Sequence, residues 1–233
     1  MAAIHYYFVR HGETTATAEQ RVQGWADSPV TRAGMRVVDQ VADTLADVPF
    51  DLAYTSDLDR CIETGERILM KQENDIQLFP VEGFREYNFG GLEDQDIEKV
   101  WPKSISQLVD DMRINQIPST QYVPLIIENL VDRDEEGNSE DFITFWNRIE
   151  EAMLDIHDDA LEVRMETQKK DIHVLIVSHD MPIRFFLHEV LPEFDLKEDL
   201  DYGHYAHVVY TKGAYELEEF NQVELLCNSF HKN

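Results

Sequence analysis

Tyr6-Tyr7-Phe8-Val9-Arg10-His11-Gly12-Glu13-Thr14 decides how the rest of the chain is read. The apolar run Ile4–Val9 has the length of a buried strand, and Arg10-His11-Gly12 reads as the loop that the strand feeds. Open α/β sheets bind ligands outside the carboxyl ends of their strands, so a histidine there is placed for chemistry. The neighbouring arginine offers a planar fork for phosphate oxygens. Gly12 lets backbone approach closely, and Glu13 is positioned to hold the imidazole or its neighbours. An imidazole acts as a nucleophile when one nitrogen is free and the other is hydrogen-bonded. Alone, the triplet does not decide between catalysis and structure.

Outward from this stretch, strand and helix signals alternate. Thr31 is placed to cap a helix running to about Leu45, with Val37, Val38, Val41, Ala42 and Leu45 on one face. Leu52–Thr55 reads as a second strand, and Ser56 or Asp57 as the cap of a helix through Ile62 and Ile68. Ile76–Phe79 is expected to form a third strand, stopped by Pro80. From about Glu93 to Gly137 the strand rhythm is lost among helical pieces, prolines and an acidic run, Asp132–Glu136, that reads as a solvated loop. Asp141 opens a long helix with Phe142, Phe145, Trp146, Ile149, Met153 and Ile156 at steps of three and four. His173–Val177 is the plainest strand; it ends in Ser178-His179, Pro182 sits where a following helix starts, and Ile183–Leu191 continues it. His207–Thr211 and Ala214–Phe220 read as strands joined at Lys212-Gly213. The pattern predicts an α/β fold, a three-layer α/β/α sandwich with a mostly parallel central sheet and at least one antiparallel edge. Residues 1–233 are expected to form one domain, with an inserted helical cap at about 93–137.

Twenty basic against forty-seven acidic residues give a formal net charge of −27, which repels nucleic acid and anionic membranes. Such a surface also repels an anionic substrate unless basic residues gather at one mouth. The composition is 43% hydrophobic, enough for a sizeable core. No stretch approaches the roughly 20 apolar residues of a membrane span, and the run before Arg10 is too short for the core of a secretion signal. Cys61 and Cys227 make neither a disulfide framework nor a metal-ligand cluster, so a reducing, cytoplasmic setting is expected. Asp132-Arg133-Asp134-Glu135-Glu136 lacks the ordered ligand spacing of a calcium loop. No cofactor or metal is implied, and the oligomeric state, a homodimer included, is left open.

Three further strand ends carry residues suited to phosphate chemistry. Arg60 falls in the first turn of a helix, where the N-terminus already favours anions. Glu86 follows the third strand within Phe84-Arg85-Glu86-Tyr87-Asn88-Phe89-Gly90, and His179 closes the fourth. With these residues the chain resembles the histidine phosphatase superfamily, which includes the cofactor-dependent phosphoglycerate mutases. The resemblance runs from Tyr6 to about Phe220 and is most specific in Phe8–Thr14. Arg21-Val22-Gln23-Gly24-Trp25-Ala26-Asp27-Ser28-Pro29-Val30-Thr31, Thr55-Ser56-Asp57-Leu58-Asp59-Arg60 with Thr64, Arg85–Gly90 and Val177-Ser178-His179 carry the remainder. It implies that His11 becomes phosphohistidine and that Arg10, Arg60 and His179 bind the phosphoryl oxygens. It further implies that Glu86 protonates the leaving group and then activates water, and that Thr17, Gln23 and Gly24 line the substrate site. A carboxyl with that duty needs a raised pKa, so Glu86 is expected to be partly desolvated. The chain departs from the family pattern at Thr17, where Asn is common, and at Asp180-Met181, which stands for Gly-Gly. Gly137-Asn138-Ser139 likewise stands where Gly-Glu-Ser is common.

Phosphatase and mutase share such a site. A phosphoglycerate mutase needs extra basic clamps for a carboxylate and a second phosphate, whereas Gly91–Asp96 is acidic and the cap offers only scattered Lys99, Lys103, Arg113 and Arg133. The reading is therefore a histidine acid-type phosphatase, a metal-independent phosphomonoester hydrolase acting on a small phosphorylated substrate. The acidic cap favours a neutral or cationic remainder, such as a sugar, nucleoside or peptide. The alternatives are a phosphoglycerate mutase and a catalytically silent phosphate-binding regulatory module. The complete set Arg10, His11, Arg60, Glu86 and His179 argues against the silent module.

Overall fold

A computed structural model describes residues 2–223; Cys227 lies outside the described residues. β1 (Ala3–Arg10) leads into the short α1 (Thr15–Ala18) and then α2 (Arg32–Thr44). β2 (Leu52–Thr55), α3 (Asp59–Leu69) and β3 (Leu78–Pro80) follow. Four helices come next: α4 (Ile97–Val100), α5 (Ile105–Ile114), α6 (Tyr122–Val131) and the long α7 (Phe142–Thr167). β4 (Asp171–Ser178), α8 (Asp180–Val190), β5 (Tyr205–Thr211) and β6 (Ala214–Gln222) complete the order.

The six strands form one sheet in the order β3-β2-β4-β1-β5-β6. The first four are parallel, and β5 and β6 add an antiparallel edge. The α/β sandwich expected from the alternation is the fold observed. Side chains of a strand point alternately to opposite faces. Tyr6 and Phe8 of β1 therefore join Ile149 and Met153 of α7 and Phe186 of α8 in one core. Tyr7 and Val9 join Val41 of α2, Leu45 at its C-terminal end and Ile68 of α3 in the other. β4 lies inside the sheet, and Val174 to Val177 are fully buried, which is why it reads as an unbroken apolar run. Each such side chain contributes roughly 1.5–3 kcal/mol through burial. Thr31 and Asp141 cap α2 and α7 by accepting from the backbone N–H groups of Gly34 and Thr144.

Three local expectations are corrected. β3 starts two residues and ends one residue later than Ile76–Phe79 and so includes Pro80, because an edge strand loses no ladder bond to a proline whose nitrogen faces outward. Neither Ser56 nor Asp57 is the N-cap of α3; that position is Leu58, which makes no side-chain cap bond. Ser56 instead meets His179, and Asp57 pairs with Arg85. The acidic run is not simply solvated, since Asp134 is buried and accepts from the backbone N–H groups of Gly91, Glu136, Asn138 and Ser139. Among the described residues, no helix is long and apolar enough to cross a membrane.

Candidate active site

β4 pairs with β1 on one side and β2 on the other, with Arg10 opposite Ser178 and Thr55 opposite Val177. This register brings the residues just past the three strands to one edge. His11 N–H donates to Ser178 O (3.0 Å) and Ser56 N–H to Val177 O (2.8 Å). The rings of His11 and His179 meet edge to face with centroids 5.0 Å apart.

Arg60, in the first turn of α3, has a side chain with no exposed surface and joins the two rings. Its Nε donates to His11 Nε2 (3.3 Å) and its Nη2 to His179 Nδ1 (3.1 Å). The remaining donors reach Gly24 O (2.6 Å), Ala26 O (3.1 Å) and Asp27 Oδ1 (2.9 Å). A guanidinium only donates, so both imidazole nitrogens facing it carry lone pairs. On His11 the proton then sits on Nδ1 and is donated to Gly12 O (2.8 Å). On His179 it sits on Nε2 and goes to Ser56 Oγ (2.9 Å). Burial, reinforced by the charges of Arg60 and Arg10, holds His11 well below the ordinary imidazole pKa. Burial and Arg60 do the same to His179. Both rings are thus neutral, and the His11 Nε2 lone pair faces Arg60 Nε.

Arg10 stacks its guanidinium on Tyr202, 3.7 Å from the ring centroid. Nη1 donates to Leu200 O (2.5 Å) and lies 3.5 Å from Asp180 Oδ1. The buried Nε has no hydrogen-bond partner among the described residues. Asp180, which stands where the family has glycine, bridges Arg10 to Arg184, whose Nη1 donates to Oδ2 (2.8 Å). Burial opposes its charge, but Arg184 and Arg10 hold its carboxyl below the usual range.

Glu86 is 7% exposed. Burial pushes its pKa up to about 7; the Tyr87 N–H bond to Oε1 (2.9 Å) and the two arginines oppose that rise, and Asp180 adds to it. Arg10, Glu86, Asp180 and Tyr202 line one part of a cavity of about 130 Å³. Val22, Phe89, Ile97, Trp101, Ile105 and Met181 give it an apolar wall, partly supplied by the helical segment between β3 and α7.

Arg10, His11, Arg60, Glu86 and His179 are therefore brought to one end of the sheet. Thr17 and Gln23 line the same cavity, but their polar atoms also serve the scaffold. Thr17 Oγ1 donates to Thr14 O (3.1 Å), and Gln23 Oε1 accepts from Thr14 Oγ1 (2.5 Å). Gly24 N–H is taken by Glu93 (3.0 Å) and its carbonyl by Arg60, so it acts by aligning that arginine. A Cβ at Gly24 would lie 2.3 Å from Tyr87 O, which only glycine allows. Glu13 turns to Thr31 Oγ1 (3.0 Å), and the carbonyl of Gly12 orients the imidazole in its place. Sequence reasoning missed Asp27, Ser56 as a partner of His179, Tyr202 and Arg148. Asp27 and Ser56 lie inside quoted motifs, but no spacing shows which strand end they reach.

The chain matches the histidine phosphatase superfamily (branch 1) over residues 6–223. It belongs to that superfamily. As a histidine phosphatase it is 35% identical over 119 residues to "Probable phosphoglycerate mutase GpmB" of Proteus mirabilis, covering 48% of this chain and 54% of the relative. The protein of the same name from Escherichia fergusonii is 36% identical over 130 residues, 54% of this chain and 60% of that one. The chain thus spans little more than half the length of the curated relatives it matches. Phosphoglycerate mutase from Bacillus anthracis superposes with a TM-score of 0.77 at 25% identity, covering 95% of this chain and 94% of that one. A mutant phosphoserine phosphatase from Entamoeba histolytica, in complex with phosphoserine, shares the fold with a TM-score of 0.66 at 19% identity, covering 96% and 99%.

Proposed function

We propose that this chain hydrolyses small phosphomonoesters through a phosphohistidine on His11 Nε2, with Glu86 as proton donor. The observation that carries the reading is a neutral His11, its Nε2 lone pair set by the Nδ1–H bond to Gly12, in a site that also holds a buried carboxyl with a pKa of about 7. In the first step the Nε2 lone pair attacks phosphorus and the bond to the ester oxygen breaks. That oxygen takes the Glu86 proton and leaves as an alcohol. Water then attacks the phosphohistidine and gives its proton to the Glu86 carboxylate. The P–N bond breaks, its electron pair returns to Nε2, and inorganic phosphate departs. Phosphoryl transfer needs mainly positioning and charge neutralisation, here assigned to Arg10, Arg60 and His179.

The cavity favours hydrolysis over isomerisation. One side of its wall is apolar, Arg21 in its lining donates to Asp94 O (2.5 Å), and Asp180 adds negative charge. Among the described residues lining it, Arg10 is assigned to the phosphoryl group and Arg21 is paired with Asp94, so a phosphoglycerate carboxylate finds no further cation there. The names of the relatives favour the mutase, so the test includes both reactions. The segment from about 93 to 137 serves as the cap of a single-domain enzyme, and the low cysteine usage fits a cytoplasmic setting. Phosphate release from p-nitrophenyl phosphate and alkyl phosphates, with acid-labile phosphoenzyme in the parent and neither in His11→Ala, is the expected result. Full hydrolysis by His11→Ala would overturn the reading, and isomerisation of 3-phosphoglycerate with little hydrolysis would hand the site to the mutase.

A further inference from the structure

The backbone that carries Glu86 is gripped by a largely buried ion pair that the chemistry above does not use. Arg148 of α7 places its guanidinium 4.8 Å from the ring centroid of Phe145 and has a partner on each of its three nitrogens. Nε and Nη2 clasp the Glu140 carboxylate (3.0 and 2.7 Å). Nη1 donates to Gly83 O (2.8 Å) and Arg85 O (2.6 Å), and Nη2 also reaches Glu86 O (2.8 Å). Glu140, its side chain 5% exposed, accepts in turn from Asn88 N–H (2.8 Å). Its carbonyl accepts from Tyr87 Oη (2.7 Å), and its N–H donates to Asn88 O (3.2 Å). Ser178 Oγ, at the end of β4, holds the one remaining carbonyl of the stretch, that of Phe84 (2.8 Å).

A buried ion pair is a weak source of stability, because apolar side chains of similar volume often serve as well. What a guanidinium supplies here is geometry. Its planar fork fixes the directions of several acceptors at once, and here they are consecutive parts of one catalytic segment. A proton donor must lie within about 3 Å of the oxygen it protonates. A displacement of about 1 Å costs on the order of 10²-fold in rate.

We propose that Arg148 and Glu140 are positioning residues that hold the Glu86 carboxyl on the leaving-group oxygen, an inference that rests on the reading of Glu86 as proton donor. The proton on Glu86 passes to the ester oxygen as the P–O bond breaks, so the pair matters only where that oxygen needs the proton. A nitrophenolate leaves without one; an alkoxide does not.

The test measures kcat/KM for p-nitrophenyl phosphate and for 2-phenylethyl phosphate in the parent, Glu86→Gln, Arg148→Met, Arg148→Lys and Glu140→Gln. Arg148→Met is expected to lose about 50-fold on the alkyl ester and less than about 3-fold on the aryl ester. Glu140→Gln should show the same selectivity at roughly 10-fold, and Arg148→Lys should recover part of the loss. Arg148→Met in the Glu86→Gln background should add little, since both act on one proton transfer. Equal losses on the two esters in Glu140→Gln and Arg148→Lys, with Glu86→Gln still selective, would overturn the inference and leave the proton donor standing. If Glu86→Gln is itself unselective while His11→Ala is inactive, the reading of Glu86 falls, and the inference with it. Should Arg148→Met fail to fold, the two conservative variants decide.

Discussion

β1 and β4 each carry one histidine near the start of the strand and another just past its end, six residues apart: His5 and His11, His173 and His179. At the start, His5 and His173 are register partners whose rings stack at 4.5 Å and 14°. His207 of β5 completes that group, 3.0 Å from His5 by its Nε2 and stacked on Tyr7 at 4.3 Å. At the far end, His11 and His179 meet edge to face at 5.0 Å. Burial depresses the pKa at both ends, to about 4 for His173 and about 3 for His207. A perturbed imidazole therefore does not by itself mark a site. The ends differ in their partners. Imidazoles meet one another and tyrosine at the first, whereas at the second Arg60 fixes which nitrogen of each ring holds the lone pair.

The sharpest way to break this comparison is to remove one ring at each end. His11→Ala should lose at least about 10³-fold in phosphate release and all phosphoenzyme. His5→Ala and His173→Asn should stay within about 2-fold in kcat/KM at pH 7, because they touch no reacting group. A comparable loss at both ends would erase the distinction. A smaller effect is expected from the carboxyl. As the proposed proton donor Glu86 would have to be protonated to act, so kcat/KM for an alkyl ester should fall as pH rises past about 7. Glu86→Gln should cost about 10²-fold on that ester and flatten the alkaline fall; a fall that persists would assign it to another group.

The smallest effect concerns stability. The folded pKa values of His173 and His207 lie below the ordinary value of 6.5, so the unfolded chain takes up protons first as pH drops. Their contribution is complete above about 6.5 and is lost as pH falls towards 4 and 3. The melting temperature should decline on acidification, and His173→Asn should make the decline shallower than in the parent. Parallel declines would show that the imidazole stack plays no part.

Much of this was legible because the signals were local. β4 declares itself by four consecutive buried apolar residues, and α7 by its stripe and Asp141 cap. The strand-end residues stood out because a polar residue after an apolar run is visible in one dimension. What stayed hidden was decided by distant partners. Ser56 and Asp57 look like caps, yet they serve His179 and Arg85. Asp134 sits in a charged run that reads as surface, yet its carboxylate gathers four backbone N–H groups. Arg148 did leave one signal, a charge three residues after Phe145 on the helix stripe, but only the fold shows which carbonyls it meets. Pro80 misled because a stop signal in the middle of a sheet is harmless at its edge.

The two guanidiniums of the site lie sunk in a chain whose formal charge is −27. A phosphate dianion diffusing in crosses a field of its own sign before it meets an attractive one. Screening shortens that outer field from about 30 Å at 10 mM salt to about 8 Å at 0.15 M, while buried charges are screened far less. Encounter of a phosphate dianion with this site should therefore quicken as salt is added, the reverse of a protein that draws phosphate in with a basic surface, and should be slowest in dilute buffer.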